Sequence, residues 1–288
     1  MVAFYRPNTL SEALAIRAAR DVAIVAGATD IYPARTSRLA WGDPTHKDVL
    51  DITAIPGLDV IEDTRETYRL GCLVTWTDLV RAALPAQFDG YKRAAREIGG
   101  VQIQNRATLV GNICTASPAG DGVPNLLVLN ASVELTSASG VRQVPIASFI
   151  DDYRHTVCRG DEIVTALIVP KLADARSDFR KLGARKYLVI SIAMVAAVVA
   201  TDGRGRVTMA RIAVGACSAV AQRLSALERE LVGVPIARAA EHVTPDHVAT
   251  LAPIDDVRAS AAYRNAAAVT LVRDVLAGFA DESMRRVA

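Results

Sequence analysis

Arg106–Ala107–Thr108–Leu109–Val110–Gly111–Asn112–Ile113–Cys114–Thr115–Ala116–Ser117–Pro118–Ala119–Gly120–Asp121–Gly122–Val123–Pro124 is the stretch on which the reading of this chain turns. It is poor in charge, rich in small and hydroxyl residues, and carries three glycines and two prolines. It cannot run as one regular helix, because Pro118 lacks an N–H and Gly120 and Gly122 loosen the backbone. Nor does it carry the heavy charge that keeps a segment disordered in water. Two readings fit the residues: a glycine-rich connector between core elements, or an ordered loop whose amides and hydroxyls face a ligand. Small residues let the main chain approach a ligand closely, and successive turn amides form concavities for anionic oxygens. Pro124 suits a helix start, so Asn125–Asn130 predicts a helix whose N-terminus lies beside the loop.

Working outward, an N-terminal counterpart appears. Val22–Ala26 reads as a buried strand, Gly27–Ala28–Thr29–Asp30 as a turn, and Ile31 as the start of a helix. Strand, turn and helix start make a phosphate-sized site. The turn is neither G-x-G-x-x-G nor a P-loop, and an unliganded strand-to-helix turn accounts for it as well.

The 288 residues suffice for two or three small domains. Hydrophobic residues make up 51% and charged residues 22%, the balance of a soluble globular chain. A net charge of +2 without a basic run gives no reason to invoke nucleic acid or an anionic membrane. Met1–Pro7 lacks a signal-peptide pattern. The longest apolar run, Tyr187 to Ala200, is too short for a membrane span of ~20 residues and reads as a buried strand. Cys72, Cys114, Cys158 and Cys217 form no C-x-x-C pair, which argues against zinc or an iron–sulfur cluster on this chain. Free thiols point to a reducing compartment and a cytoplasmic location.

Further elements follow from caps and periodicity. Thr9–Glu12 has the form of a capping box ahead of a helix with Leu10, Ala13, Leu14 and Ala18 on one face. Asp48–Ile52 and Tyr68–Val74 read as strands, and Thr75 caps a helix that places Trp76 in the core. Val133–Thr136 is a strand, and Glu162–Pro170, apolar and ending in proline, reads as the edge of a sheet. The polar residues 171–178 read as a domain boundary. Residues 188–200 and 206–217 read as a hairpin about Thr201–Gly205. Thr244–Pro245–Asp246 starts one helix, and a last one runs from Ala261 to Phe279 with Val269, Val272, Leu276 and Phe279 on one face. His46, His155, His242 and His247 have no catalytic companion at motif spacing.

Several stretches resemble the flavin-binding subunits of the molybdenum hydroxylases, the xanthine dehydrogenase and carbon monoxide dehydrogenase superfamily. The family loop T-x-G-G-N-x-x-x-A-S-P-x-x-D-x-x-P is matched by Thr108, Gly111, Asn112, Ala116, Ser117, Pro118, Asp121 and Pro124, with Val110 for the first glycine. A-G-G-[TH]-[DS]-L is matched by Ala26, Gly27, Thr29 and Asp30, with Ile31 for leucine and Ala28 for a glycine. If that position demands positive φ, alanine is strained there by roughly 1 kcal/mol. Ile98–Arg106 is similar to I-[GA]-x-x-Q-[IV]-R-N, with Gln104 where arginine is usual. Pro145–Ile150 is similar to V-P-[LI]-x-x-F-F, and Phe179–Arg185 to Y-x-K-x-x-x-R.

The resemblance covers nearly the whole chain. It implies an α+β fold: a two-subdomain FAD-binding domain like that of vanillyl-alcohol oxidase, over 1–174 (about 1–55 and 56–174). A C-terminal domain of a three-stranded antiparallel sheet plus helices follows over 175–288. It implies FAD contacts from Val25, Ala26, Gly27, Ala28, Thr29, Asp30 and Ile31, with the glycine turn on the pyrophosphate. It further implies contacts from Thr108, Gly111, Asn112, Thr115, Ser117, Asp121, Ile163, Lys181 and Tyr187. Asp121 falls near the ribityl chain or ring, Lys181 near the ring's polar edge, and Tyr187 and Leu188 over a ring face. The implied role is electron transfer within an oxidoreductase, with no catalytic residue on this chain. A small partner carries 2Fe–2S clusters, a large one the molybdenum cofactor, and NAD+, oxygen or another acceptor takes the electrons. Two other readings stay open: a self-sufficient flavin reductase of the MurB type, and a flavin-free scaffold or maturation protein.

Overall fold

A computed structural model describes residues 2–36 and 46–280. The end of the 175–288 segment therefore lies outside the described residues. Val22–Val25 pairs in parallel with Asp48–Asp51, whose other edge takes Phe4–Tyr5, giving a three-stranded parallel sheet. The helix Leu10–Ala19 connects its outer strands and buries Ala13 and Leu14. Thr9 accepts the Glu12 N–H at 3.2 Å, as a capping residue should. Glu12 reaches the Asn8 N–H instead of returning to Thr9, so only half of the capping box forms. At Thr75 both halves form with Asp78, and Trp76 is buried against Tyr91, ring edge to face at 5.5 Å.

The second sheet has five antiparallel strands in the order Ile61–Asp63, Thr67–Gly71, Ile163–Pro170, Ser132–Ser137, Gly140–Pro145. Ile163–Pro170 is therefore central, not the edge that its terminal proline suggests. Pro170 is its last residue, where the ladder ends, and the run Ile163–Leu167 is buried throughout. A continuous apolar run is the mark of a strand covered on both faces.

The third sheet contains Ala175–Leu182, Ala193–Thr201, Val207–Gly215 and Gln222–Arg223, all antiparallel. It has four strands where three were expected. The fourth is only two residues long, too short to leave a periodic signal. Alternation along Ala193–Thr201 joins two cores. Met194, Ala196, Val198 and Ala200 face the core shared with the first two sheets. Ala193, Val195, Ala197 and Val199 face a second core closed by the helix Ala261–Ala280 through Val269, Val272, Leu276 and Phe279.

Polar contacts pin the third sheet to the rest. Ser177 accepts the Gly90 N–H at 2.7 Å, and Asp178 pairs with Arg93 and Arg180. Ser177 and Asp178 are buried within Ala175–Leu182, so the polar stretch 171–178 is only partly a linker. Arg211 and Arg223 donate to the carbonyls of Val128 and Leu127 at 3.3 and 3.4 Å. Those carbonyls end the helix Gly122–Val128, where partners within the helix run out and a positive charge is favoured.

Candidate flavin site

The two glycine-containing stretches meet in space. A Cβ on Gly27 would lie 2.0 Å from the Arg106 carbonyl oxygen, so this glycine is required by the close crossing of the two chains. Thr75 and Thr108 form an isolated antiparallel bridge, and the Leu109 N–H donates to the Val74 carbonyl at 3.0 Å. The 106–124 stretch is thereby anchored to the segment that follows the strand Thr67–Gly71 and opens onto a cavity of about 860 Å³. That volume is at the upper end of the roughly 300–1,000 Å³ of small-molecule sites.

The stretch is more regular than its composition suggests. Leu109–Cys114 is a short helix, capped by the Thr108 hydroxyl accepting the Gly111 N–H at 2.9 Å. Asn112 is thus helical rather than in an irregular loop, because one good cap offsets the poor helix propensity of Gly111. The next helix starts at Gly122, two residues before Pro124. Asn112 Oδ1 accepts the Gly122 N–H at 3.1 Å, and a Cβ on Gly122 would meet that oxygen at 2.7 Å. Between the helices, Ala116 has φ +48° and the Pro118 carbonyl accepts the Ala216 N–H from the third sheet at 2.9 Å.

Val25, Ala26, Gly27, Ala28, Thr29, Asp30, Ile31, Thr108, Gly111, Asn112, Thr115, Ser117, Asp121, Ile163 and Lys181 all line this one cavity. Tyr187 does not. Its ring is exposed, with the Lys186 ammonium 5.3 Å from its centroid. Leu188 is left-handed at φ +52°, and past that turn Val189 and Ile190, rather than Tyr187, line the cavity. Ile103, Val189 and Ile190 are lining residues that sequence reasoning missed. Val189 and Ile190 were hidden in the apolar run Tyr187 to Ala200, and Ile103 alternates with Gln102 and Gln104, so none carried a site signal of its own.

Ala28 has φ +62°, the left-handed conformation that costs a non-glycine residue roughly 1 kcal/mol. Among the described residues, no hydrogen bond takes up the N–H groups of Gly27, Ala28, Thr29 or Asp30. A turn that leaves successive amides unpaired at a cavity wall suits an anionic oxygen such as a phosphate.

Across the cavity stands a buried ion pair. Lys181 Nζ lies 2.6 Å from Asp121 Oδ2, and both side chains are 5% exposed. Ser191 Oγ donates to Asp121 Oδ1 at 2.5 Å. Burial pushes the Asp121 carboxyl up from its ordinary range, and Lys181 and Ser191 oppose the shift without cancelling it. Glu97 is also pushed up, first by burial, with Lys181 opposing.

Cys72, Cys114 and Cys158 line the cavity as free thiols. Burial pushes Cys72 up to about 12 and Cys158 up as well, so neither is a ready thiolate, whereas Cys114 is exposed. None of the four histidines lines the cavity. Among the described residues, no group of three or more His, Cys, Asp or Glu is placed to hold a metal.

Comparison with known proteins shows the family to which the chain belongs. The family described as FAD binding domain in molybdopterin dehydrogenase matches residues 1–172, and the CO dehydrogenase flavoprotein C-terminal domain matches 178–278. The chain belongs to the flavoprotein subunits of the molybdenum hydroxylases. It is 34% identical over 245 residues to the nicotinate dehydrogenase FAD-subunit of Eubacterium barkeri, covering 81% of this chain and 80% of that one. It is 30% identical to the nicotine 6-hydroxylase medium subunit of Paenarthrobacter nicotinovorans, covering 88% of each. A solved carbon monoxide dehydrogenase of Hydrogenophaga pseudoflava superposes with a TM-score of 0.87 at 26% identity, over 97% of both chains. The protein is therefore an FAD-carrying subunit of an oxidoreductase, as the motifs implied. This membership favours neither the self-sufficient reductase nor the flavin-free scaffold. Among the described residues, no helix of this flavoprotein is long and apolar enough to cross a membrane.

Proposed function

We propose that this chain is the electron relay of a multi-subunit hydroxylase. It takes electrons from 2Fe–2S clusters on a small partner, which are reduced by the molybdenum cofactor of a large partner. It passes them to NAD+, oxygen or another acceptor. FAD, when bound, supplies the chemistry that joins one-electron donors to a two-electron acceptor. The amides of Gly27–Asp30 would hold the pyrophosphate, Thr108, Gly111, Asn112, Thr115, Ser117 and Asp121 would contact the rest of the cofactor, and Lys181 would supply a cation toward its ring. A fixed cation there stabilises negative charge on a reduced flavin. Ile103, Val189 and Ile190 supply an apolar wall that keeps water from the ring. The division of labour follows 1–174 for the dinucleotide and 175–288 for the cation-bearing sheet.

The observation that carries this reading is the meeting of the unpaired turn amides and the buried Lys181–Asp121 pair in one cavity. Such a site suits a bound cofactor, and the likeness of the chain to the FAD and medium subunits of multi-subunit dehydrogenases supports electron entry across a protein contact. Ile103 and Ile190 line the cavity yet remain exposed, and Leu188, which packs against Gly100, is exposed beside them. This apolar rim is the surface offered to the cluster-bearing partner. A tagged chain expressed with its native partners is expected to co-purify with iron, molybdenum and FAD. Recovery of the chain with FAD alone, at native expression and low salt, would contradict the relay.

A further inference from the structure

We propose that Ser191 is a positioning residue for the flavin's redox chemistry: its hydroxyl pins one oxygen of Asp121 so that the other holds Lys181 at the cavity wall. This rests on the reading of Lys181 as the cation of the flavin's polar edge.

The three groups come from three places. Asp121 precedes the helix Gly122–Val128, and Lys181 lies on Ala175–Leu182. Ser191 lies in the segment leading to Ala193–Thr201, drawn back by the Ile192 N–H donating to the Leu182 carbonyl at 2.8 Å. Ser191 is 2% exposed and does not line the cavity, so it acts on a ligand only through Asp121. A carboxylate turns about a broad, roughly two-fold torsion and offers two equivalent oxygens. A lysine ammonium is a mobile point charge on a flexible stem and follows whichever oxygen is free. With Ser191 donating to Oδ1 at 2.5 Å, Lys181 is left with Oδ2 at 2.6 Å. The ammonium's other donors are then free for an acceptor in the cavity. Without the hydroxyl, both oxygens compete for Lys181 and draw its charge toward the carboxylate. The bond does more than satisfy a buried polar atom, because it fixes where the cation stands.

The test measures the flavin midpoint potential in the FAD-loaded full chain, comparing the parent, Ser191→Ala, Lys181→Met and the double variant. Lys181→Met is expected to lower the potential. Ser191→Ala is expected to lower it by about a tenfold loss of preference for reduced flavin, some 30 mV for a two-electron couple. In the Lys181→Met background, Ser191→Ala is expected to add nothing. If Ser191→Ala does not accumulate folded, Ser191→Cys, a weaker donor, is expected to shift the potential in the same direction by less. An unmoved potential in the Ser191 variant while Lys181→Met shifts it would overturn the role of Ser191 alone. A Ser191 effect that survives in the Lys181→Met background would do the same. An unmoved potential in Lys181→Met would overturn the reading of Lys181, and this assignment with it.

Discussion

Asp121 holds a cation 60 residues away and Asp256 holds one eight residues away, and their carboxyls move in opposite directions. Asp121, buried at the cavity wall, faces Lys181 and Ser191 and is still pushed up, because the cost of taking its charge out of water comes first. Asp256 stands in the C-terminal region at 22% exposure, where the Arg258 N–H at 2.8 Å and Arg264 at 2.7 Å reach it. The backbone donation from Arg258 leads the other causes, and the carboxyl is held down at about 2. The difference separates a pair held in a buried cavity wall from one held near the surface. Asp256 is satisfied by the backbone N–H groups of Arg258 and Ala259 and by the guanidiniums of Arg258 and Arg264. Asp121 has a donor on each oxygen, Lys181 and Ser191, but is buried, and a charge pair out of water acts through a lower dielectric.

The largest expected effect comes from breaking the cavity pair. Lys181→Met leaves the Asp121 carboxylate buried without its cation, and the fold is expected to lose about 3–5 kcal/mol at neutral pH. The orphaned carboxyl escapes by taking up a proton. Its folded pKa lies above the unfolded value, so the penalty grows as pH rises above the ordinary carboxyl range and shrinks in acid. Denaturant melts of the parent and Lys181→Met between pH 4 and pH 8 check both sign and size. A pH-independent difference would break the comparison.

A smaller effect of opposite sign belongs to Asp256. Its folded pKa is depressed, so its contribution is full above the ordinary carboxyl range and is lost as pH falls through about 2. Asp256→Asn is expected to flatten that part of the acid limb of stability relative to the parent. Matched melts from pH 5 to pH 2 check it, and parallel acid limbs in the two proteins would contradict it.

What the sequence disclosed follows the range of the forces involved. The cavity residues from Val25 to Ile31 and from Thr108 to Asp121 were legible because each cluster is local, punctuated by glycine and hydroxyl residues within one turn. Lys181 was legible through its motif. Ser191 was not, since its bond to Asp121 spans 70 residues and a lone serine in an apolar run carries no pattern. The place of Ile163–Pro170 was misread because proline speaks only for its own N–H, whereas strand order is settled by both neighbours. Tyr187 lies outside the cavity because one left-handed residue, Leu188, redirects the chain, and leucine gives no warning of positive φ.

The relay itself is tested most directly by the flavin's colour. The FAD-loaded chain, alone and combined with its iron–sulfur and molybdenum partners, is mixed anaerobically with purines, aldehydes and N-heterocycles while flavin absorbance is followed. Bleaching is expected only in the complex, with the substrate that the molybdenum partner accepts. Rapid bleaching of the isolated chain by an organic substrate would contradict the account.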